Sequence, residues 1–145
     1  MPEQHHTVLG FDFGTVWIGT AVGQTRTMTA SPLEPVRVIQ HQPDWNKIAR
    51  LIETWQPDRL IVGLPLNMDD QEQQISEKAR RFSRQLEGRF HIKTELIDER
   101  LTTREAWHIV ENQAHNKVSK SDIDSIAAVL ITETWLTHQQ HKENF

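Results

Sequence analysis

An apolar run near the N-terminus places the strongest constraint on the fold. After Thr7 the chain reads Val-Leu-Gly-Phe-Asp-Phe. Successive side chains of a strand point to opposite faces, so this run would place apolar side chains on both faces. A strand that is apolar on both faces belongs in a sheet that is covered on both faces. A carboxylate inside such a run, here Asp12, costs several kcal/mol unless it is paired or binds a metal ion. The simpler interpretation is that Asp12 only caps a turn.

The remaining patterns predict three strands, then alternating helices and strands, then two closing helices. We expect strands over residues 7–13, 18–22, 34–39, 59–62 and 90–97. Helices are expected from Asp44 to Pro57, from Asp69 or Asp70 to Gly88, from Thr102 to about Val110, and from Ser121 onward. This order predicts an α/β fold with a mixed five-stranded sheet flanked by helices.

Composition narrows the class of protein further. A chain of 145 residues suits one domain, which we expect to span residues 1–145. There is no cysteine, and no stretch approaches the roughly 20 apolar residues of a membrane span. The polar N-terminus argues against export, so we expect a cytoplasmic protein without a membrane partner. The net charge of -4 argues mildly against nucleic-acid binding, unless the cations are concentrated locally.

Two further acidic segments could join Asp12 in one site. Asp98-Glu99 stands at the end of a predicted strand, and alternation allows only one of the two to face a common site. Asp122 and Asp124 open the last helix, where Asp124 shares a side with small and apolar residues. Each has a structural alternative, since polar residues end strands and acidic residues favour the first turn of a helix.

Four motifs, in order along the chain, resemble the YqgF (RuvX) family, which is related to the RuvC Holliday-junction resolvases. They are Phe11–Gly14 with Ile18-Gly19 and Ala21–Gly23, then Ile61–Pro65, then Asp98–Thr103, then Asp124-Ser125 with Ala127-Ala128. The resemblance implies an RNase H-like fold with Asp12, Glu99 and Asp124 as catalytic residues and as ligands of Mg²⁺ or Mn²⁺. Glu99 is chosen over Asp98 because the related resolvases have a glutamate there.

The resemblance also implies a function. The family is linked to nuclease processing of the 5′ end of the 16S ribosomal RNA precursor, with association with the ribosome or its precursor as a further expectation. The alternative is resolution of branched DNA. Thr15, Arg100 and Arg104 are expected to contact the substrate. Many relatives carry Lys or Arg after the Gly-Thr of the first turn, where this chain has Val16-Trp17.

Other interpretations compete with the nuclease. Asp12-Phe13-Gly14-Thr15 also resembles the phosphate loop of actin-like ATPases, but these need two such domains, more than one short chain supplies. A non-catalytic nucleic-acid or ribosome-assembly module could keep the fold. Lys78, Arg80, Arg81, Arg84 and Arg89 could bind a phosphate backbone, although a solvated helix face is the simpler reading. The sequence predicts no oligomeric state.

Overall fold

The first apolar run forms a central strand of a mixed sheet. The computed structural model describes residues 5–65, 74–99 and 120–142. The elements in these residues are β1 (Thr7–Asp12), β2 (Trp17–Gln24), β3 (Thr29–Ile39), β4 (Gln42–Pro43), α1 (Trp45–Trp55), β5 (Arg59–Leu64), α2 (Gln74–Phe90), β6 (Thr94–Asp98) and α3 (Lys120–Lys142). The strand order is β4-β3-β2-β1-β5-β6. β1 pairs antiparallel with β2 and parallel with β5, so the sheet is mixed as predicted.

Alternation along β1 divides the core between the two faces of the sheet. Leu9 and Phe11 point to one face, where they pack in a cluster with residues of α1 and α2 such as Phe82. Val8 points to the opposite face. The cluster there contains Ile61 and Ile97 of the sheet with three side chains of α3, Ile131, Trp135 and Leu136. We call these two sides the α2 face and the α3 face.

Helix α3 lies unusually close to β1 at Gly10. A Cβ atom at this position would lie 1.7 Å from Thr132 Oγ1, so only glycine permits the approach. The buried Thr132 hydroxyl donates a hydrogen bond of 2.6 Å to the Ala128 carbonyl one turn earlier, which satisfies it without water. The close packing therefore brings α3 directly onto the strand that carries Asp12.

The helix ends agree with the sequence at α1 and differ at α2. Asp44 caps α1 as predicted, with the Lys47 N–H donating to Asp44 Oδ1 at 3.2 Å. The predicted end of the second helix at Gly88 was wrong, because α2 continues to Phe90. His91 then adopts a left-handed φ of 56° and its N–H donates to the Glu87 carbonyl, which terminates the helix. The strand predicted from Phe90 consequently starts at Thr94.

The predicted count of five strands was one too low. The two-residue β4 pairs with the end of β3, and a strand this short shows no alternation that a sequence pattern could reveal. β3 is also longer than the predicted 34–39, since it begins at Thr29. The predicted helix from Thr102 to Val110 lies outside the described residues. Among the helices that are described, none combines the length and apolar character needed to cross a membrane.

Candidate active site

Asp12 is the last residue of β1. Strand alternation puts its side chain on the α3 face together with Val8 and Gly10. The residue is half-buried, and its partner across β2 is Gly19, which has no side chain to cover it. The carboxyl group therefore sits at the end of an interior strand, sheltered by the sheet and accessible on one side.

Glu99 directly follows β6 and reaches the same face. Ile97, two residues earlier, pairs with Gly63 of β5 and packs in the α3-face cluster. A Cβ atom at Gly63 would lie 2.7 Å from Glu99 Oε1 and 2.5 Å from Ile131 Cδ1. Gly63 thus leaves the space over β5 that the Glu99 carboxyl occupies beside β1.

Glu99 and Asp12 interact directly, and the interaction changes the acidity of Glu99. Burial, followed by the negative charge of Asp12, raises the pKa of Glu99 from 4.5 to about 8. A hydrogen bond from the protonated Glu99 carboxyl to Asp12 adds to the rise, and the charge of Asp98 contributes last. The site therefore tends to hold a proton that a cation of higher charge could replace.

Asp98 occupies the other side of the strand. It pairs with Leu64, and its neighbour Leu96, which shares its side by alternation, packs against the α2-face cluster. The sequence left open whether Asp98 or Glu99 faces the site. The hydrogen bond between Glu99 and Asp12 favours Glu99.

The first turns of α3 are fixed to the sheet beside these carboxyl groups. Ser125 is fully buried, and its hydroxyl accepts from the Thr20 N–H at 3.2 Å and donates to the Leu33 carbonyl at 2.6 Å. Thr20 pairs with Phe11, the residue before Asp12. Asp124 immediately precedes Ser125 in α3, so its backbone lies at this end of the sheet, while its side chain lies outside the described part of the chain.

The predicted substrate contacts are only partly covered by the structure. Thr15 is exposed in the connection between β1 and β2, two residues beyond Phe13. Arg100 and Arg104 lie outside the described residues. At the departure from the family pattern, the guanidinium of Arg37 in β3 lies 5.0 Å from the ring centroid of Trp17. A cation therefore stands near the first turn although Val16-Trp17 replaces the basic residue.

The sequence reasoning missed the role of Gly63. Its only signal was a glycine within the otherwise apolar run Leu60–Leu64, a pattern that indicates close approach of another group to a strand. The approaching group is Glu99, whose distance along the chain gave no hint of the contact.

The donor chemistry fits a hard divalent cation. Carboxylate oxygens are the ligands that Mg²⁺ and Mn²⁺ prefer, and a cation would relieve the repulsion that raises the pKa of Glu99. Within the described part of the chain, no group of three or more His, Asp or Glu side chains forms that could hold an ion. The third predicted ligand, Asp124, has its side chain outside that part.

Solved structures that share this fold include Holliday-junction resolvases. Thermus thermophilus RuvC in complex with a Holliday junction substrate superimposes with a TM-score of 0.58 at 14% identity, covering 93% of this chain and 96% of that one. Fowlpox virus resolvase in complex with substrate Holliday junction DNA gives a TM-score of 0.56 at 13% identity, with coverage of 91% and 97%. At such identities the likeness shows the fold alone, which is the predicted RNase H-like fold.

The fold and the paired carboxyl groups define an RNase H-like domain with an acidic site at the end of an interior strand. The chain belongs to the RuvX family, whose model, described as Holliday junction resolvase, matches residues 6–138. Three similar proteins bear the name "Putative pre-16S rRNA nuclease". They come from Nitrosococcus oceani (48% identical, 96% of this chain, 91% of the relative), Escherichia coli O157:H7 (48%, 89%, 94%) and Proteus mirabilis (45%, 93%, 98%). The family resemblance is confirmed, and the chain is a nuclease.

Proposed function

We propose that this chain is a metal-dependent nuclease that hydrolyses phosphodiester bonds in a ribosomal RNA precursor. The observation that carries the proposal is the convergence of Asp12 and Glu99, from strands far apart in the chain, into one interacting pair. Residues 1–145 act as a single nuclease domain, and the site of action is the cytoplasm, in association with the ribosome or its precursor.

In this proposal the chain's own carboxyl groups divide the work. Asp12, Glu99 and Asp124 would hold Mg²⁺ or Mn²⁺, and the bound ion would supply activation of a water molecule and neutralisation of charge at the leaving oxygen. Asp12 is fixed by the sheet and supplies a rigid ligand. Glu99 would give up its proton when the ion binds, and its position over Gly63 keeps it beside Asp12. Asp124 supplies the third carboxylate from α3.

The names of the similar proteins support the choice of RNA. Proteins from three bacteria at 45–48% identity, nearly full length in coverage, are named for the 16S ribosomal RNA precursor. We extend that substrate to this chain. Thr15, Arg100 and Arg104 are proposed to contact its phosphates.

The second candidate is resolution of branched DNA. It is favoured by the description of the matching family and by the titles of the RuvC and fowlpox resolvase structures, both of which hold a Holliday junction. The two candidates share the same chemistry at the phosphodiester bond and differ in the substrate.

Cleavage of two labelled substrates tests the proposal. One is an RNA spanning the 5′ end of the 16S sequence in its precursor, and the other is a four-way DNA junction, each with Mg²⁺, with Mn²⁺ and with EDTA. We expect metal-dependent cleavage of the RNA by the native chain. Asp12→Asn and Glu99→Gln should each lower the rate roughly 100-fold or more, because each removes a negative oxygen ligand.

Glu53→Gln is the matched control, since Glu53 is an exposed carboxylate on α1 away from the site. It should retain the native rate. Cleavage of the junction alone would transfer the proposal to the second candidate. RNA binding without any metal-dependent cleavage would instead leave a non-catalytic module of the kind considered from the sequence.

A further inference from the structure

A cavity on the α2 face opens beside the candidate active site. Its floor and wall are apolar, formed by Phe13, Val38, Pro43 and Phe82. Phe13 follows Asp12, so alternation sends the two side chains to opposite faces at the same end of β1. The cavity and the carboxyl pair are therefore neighbours across the tip of one strand.

The rim of this cavity is polar and carries positive charge. It is formed by side chains from α2, from the β3–β4 turn, from β4 and from the β1–β2 connection, namely Thr15, His41, Gln42, Lys78, Arg81 and Gln85. Lys78, Arg81 and Gln85 are spaced by three and four residues, which puts them on one side of α2. Within the described part of the chain, neither Lys78 nor Arg81 forms an ion pair.

The turn that carries part of the rim adopts a costly backbone. Gln40 and His41 have φ values of 51° and 64°, a region that non-glycine residues enter at some cost. Two-residue turns of this kind favour Asn-Gly rather than Gln-His. The side chains of His41 and Gln42 line the cavity next to this turn.

The size of the cavity limits what it can hold. Its volume is about 210 Å³, below the roughly 300–1,000 Å³ of pockets that bury a drug-sized ligand. One planar ring system against Phe13 fits such a volume, and a whole nucleotide does not. The cations at the rim suit phosphate groups that remain outside the cavity.

We propose that this cavity binds one unpaired base of the RNA next to the cleaved phosphodiester bond, while Lys78 and Arg81 contact the adjoining phosphates. The inference rests on the proposed function and adds a substrate class, single-stranded RNA. The strand crosses the tip of β1 past Thr15, with the scissile phosphate on the α3 face and the flanking base on the α2 face. A base within a duplex is held by its partner and cannot enter the cavity.

Binding measured by fluorescence anisotropy without metal tests the phosphate contacts. The probe is a labelled single-stranded RNA, in EDTA so that no cleavage occurs. The double variant Lys78→Ala/Arg81→Ala should weaken binding about 10-fold and reduce the slope of log Kd against log salt by about 1.4, since each contact to a single strand contributes about 0.7. The control is Arg26→Ala/Lys93→Ala, which removes two exposed charges at the opposite end of the sheet. It should change Kd less than about 2-fold, because an exposed charge away from the bound RNA contributes little free energy.

A scan with single abasic nucleotides tests the base contact. Removal of one base, at one register only, should weaken binding roughly 5- to 150-fold, the range for a base that contacts an aromatic side chain. Gln85→Phe, which fills the cavity from the half-exposed side of α2, should abolish this dependence while its circular dichroism remains native. A fully paired RNA should bind the native chain and Gln85→Phe equally.

Two results would overturn the inference. One is equal weakening by the two double variants, and the other is an abasic scan in which no position matters for the native chain. Because these measurements need neither metal nor cleavage, they fail independently of the proposed function. A chain that cleaves RNA but shows a flat scan loses the cavity proposal only, and one that shows the abasic dependence without cleavage loses the nuclease proposal only.

Discussion

Burial and a neighbouring charge make Glu99 an unusual glutamate. Its pKa is raised to about 8, so near neutral pH the folded chain holds a proton that the unfolded chain has already released. Stability from this group is therefore fully present below the unfolded pKa of 4.5 and is lost as the pH rises toward 8. The same proton competes with a metal ion for the site.

This linkage predicts the pH dependence of folding without metal. In EDTA, the free energy of unfolding of the native chain should fall by on the order of 2 kcal/mol from pH 5 to pH 8 relative to Glu99→Gln, after allowance for partial exposure of the group. The glutamine cannot ionise, so it removes the slope. Urea denaturation at several pH values measures the difference, and parallel curves for the two proteins would contradict it.

Gly63 is predicted to be essential for the position of Glu99. In Gly63→Ala the new methyl group would meet Glu99 Oε1 and Ile131 Cδ1. We expect a stability loss of about 1–3 kcal/mol and a cleavage rate lower by roughly 100-fold, because a carboxylate displaced by about 1 Å no longer serves the reaction. The measurements are chemical denaturation and the RNA cleavage assay.

Gly88→Ala provides the matched control for this substitution. Gly88 lies inside α2, and nothing lies within 4 Å of a Cβ atom added there. Alanine should raise stability by about 0.5–1 kcal/mol and leave cleavage unchanged. If both alanine variants cleave RNA at the native rate, Gly63 does not position Glu99.

At the scale of elements, the site depends on how α3 is seated. The helix packs against Gly10 through Thr132 and is tied to β2 and β3 by the buried hydroxyl of Ser125. Sequence patterns predicted a helix from Ser121 onward, and residues Lys120–Lys142 are helical. They did not show which residues attach it to the sheet, since the contacts of Ser125 lie 105 and 92 residues away in the chain.

Ser125→Ala should loosen this attachment. The Thr20 N–H and the Leu33 carbonyl would each lose a buried partner, which costs about 2 kcal/mol. The cleavage rate should also fall at a temperature at which the variant remains folded, because the backbone of the adjacent Asp124 is no longer fixed to the sheet. The control is Thr137→Ala on the same helix, whose exposed hydroxyl donates to the Glu133 carbonyl of that helix. It should change stability by less than about 0.5 kcal/mol, and equal losses in the two variants would contradict the assignment.

At the scale of the whole molecule, charge is distributed unevenly. The net charge of -4 is unfavourable for binding a polyanion, yet Lys78 and Arg81 stand together beside the tip of β1. The carboxyl pair lies across the same strand tip on the other face. A divalent ion bound between Asp12 and Glu99 would relieve the repulsion between these carboxylates. It would stabilise the folded chain, because the unfolded chain does not bring the two groups together.

Metal ions are accordingly predicted to stabilise the folded chain. At a free Mg²⁺ or Mn²⁺ concentration of 100 times Kd, stability should rise by about 2.7 kcal/mol, which raises the melting temperature by several degrees. Asp12→Asn should abolish the shift and Glu53→Gln should keep it. Differential scanning fluorimetry with and without EDTA measures the effect. An equal metal-induced shift in native chain and Asp12→Asn would place the ion elsewhere.

Local patterns in the sequence were sufficient for most of the architecture. The apolar run around Asp12, the cap at Asp44 and the helical stripes predicted the order of the elements and the mixed sheet, because strand alternation and capping act within a few residues. The alternation of side chains along a strand also predicted that Asp98 and Glu99 point to opposite faces. The two-residue β4 and the extension of α2 to Phe90 were not predicted. β4 shows no periodicity, and Gly88 is helical although glycine usually ends helices.

The tertiary structure alone decided which carboxyl group contacts Asp12, why residue 63 is a glycine, and which charged residues of α2 line the cavity. These features depend on register between β1, β5 and β6 and on the seating of α3, which are set by packing between residues dozens of positions apart. The sequence by itself determined the elements and their faces, because those follow from near neighbours in the chain. The site forms only where residues from distant strands and from α3 come together, and long-range packing fixes that position.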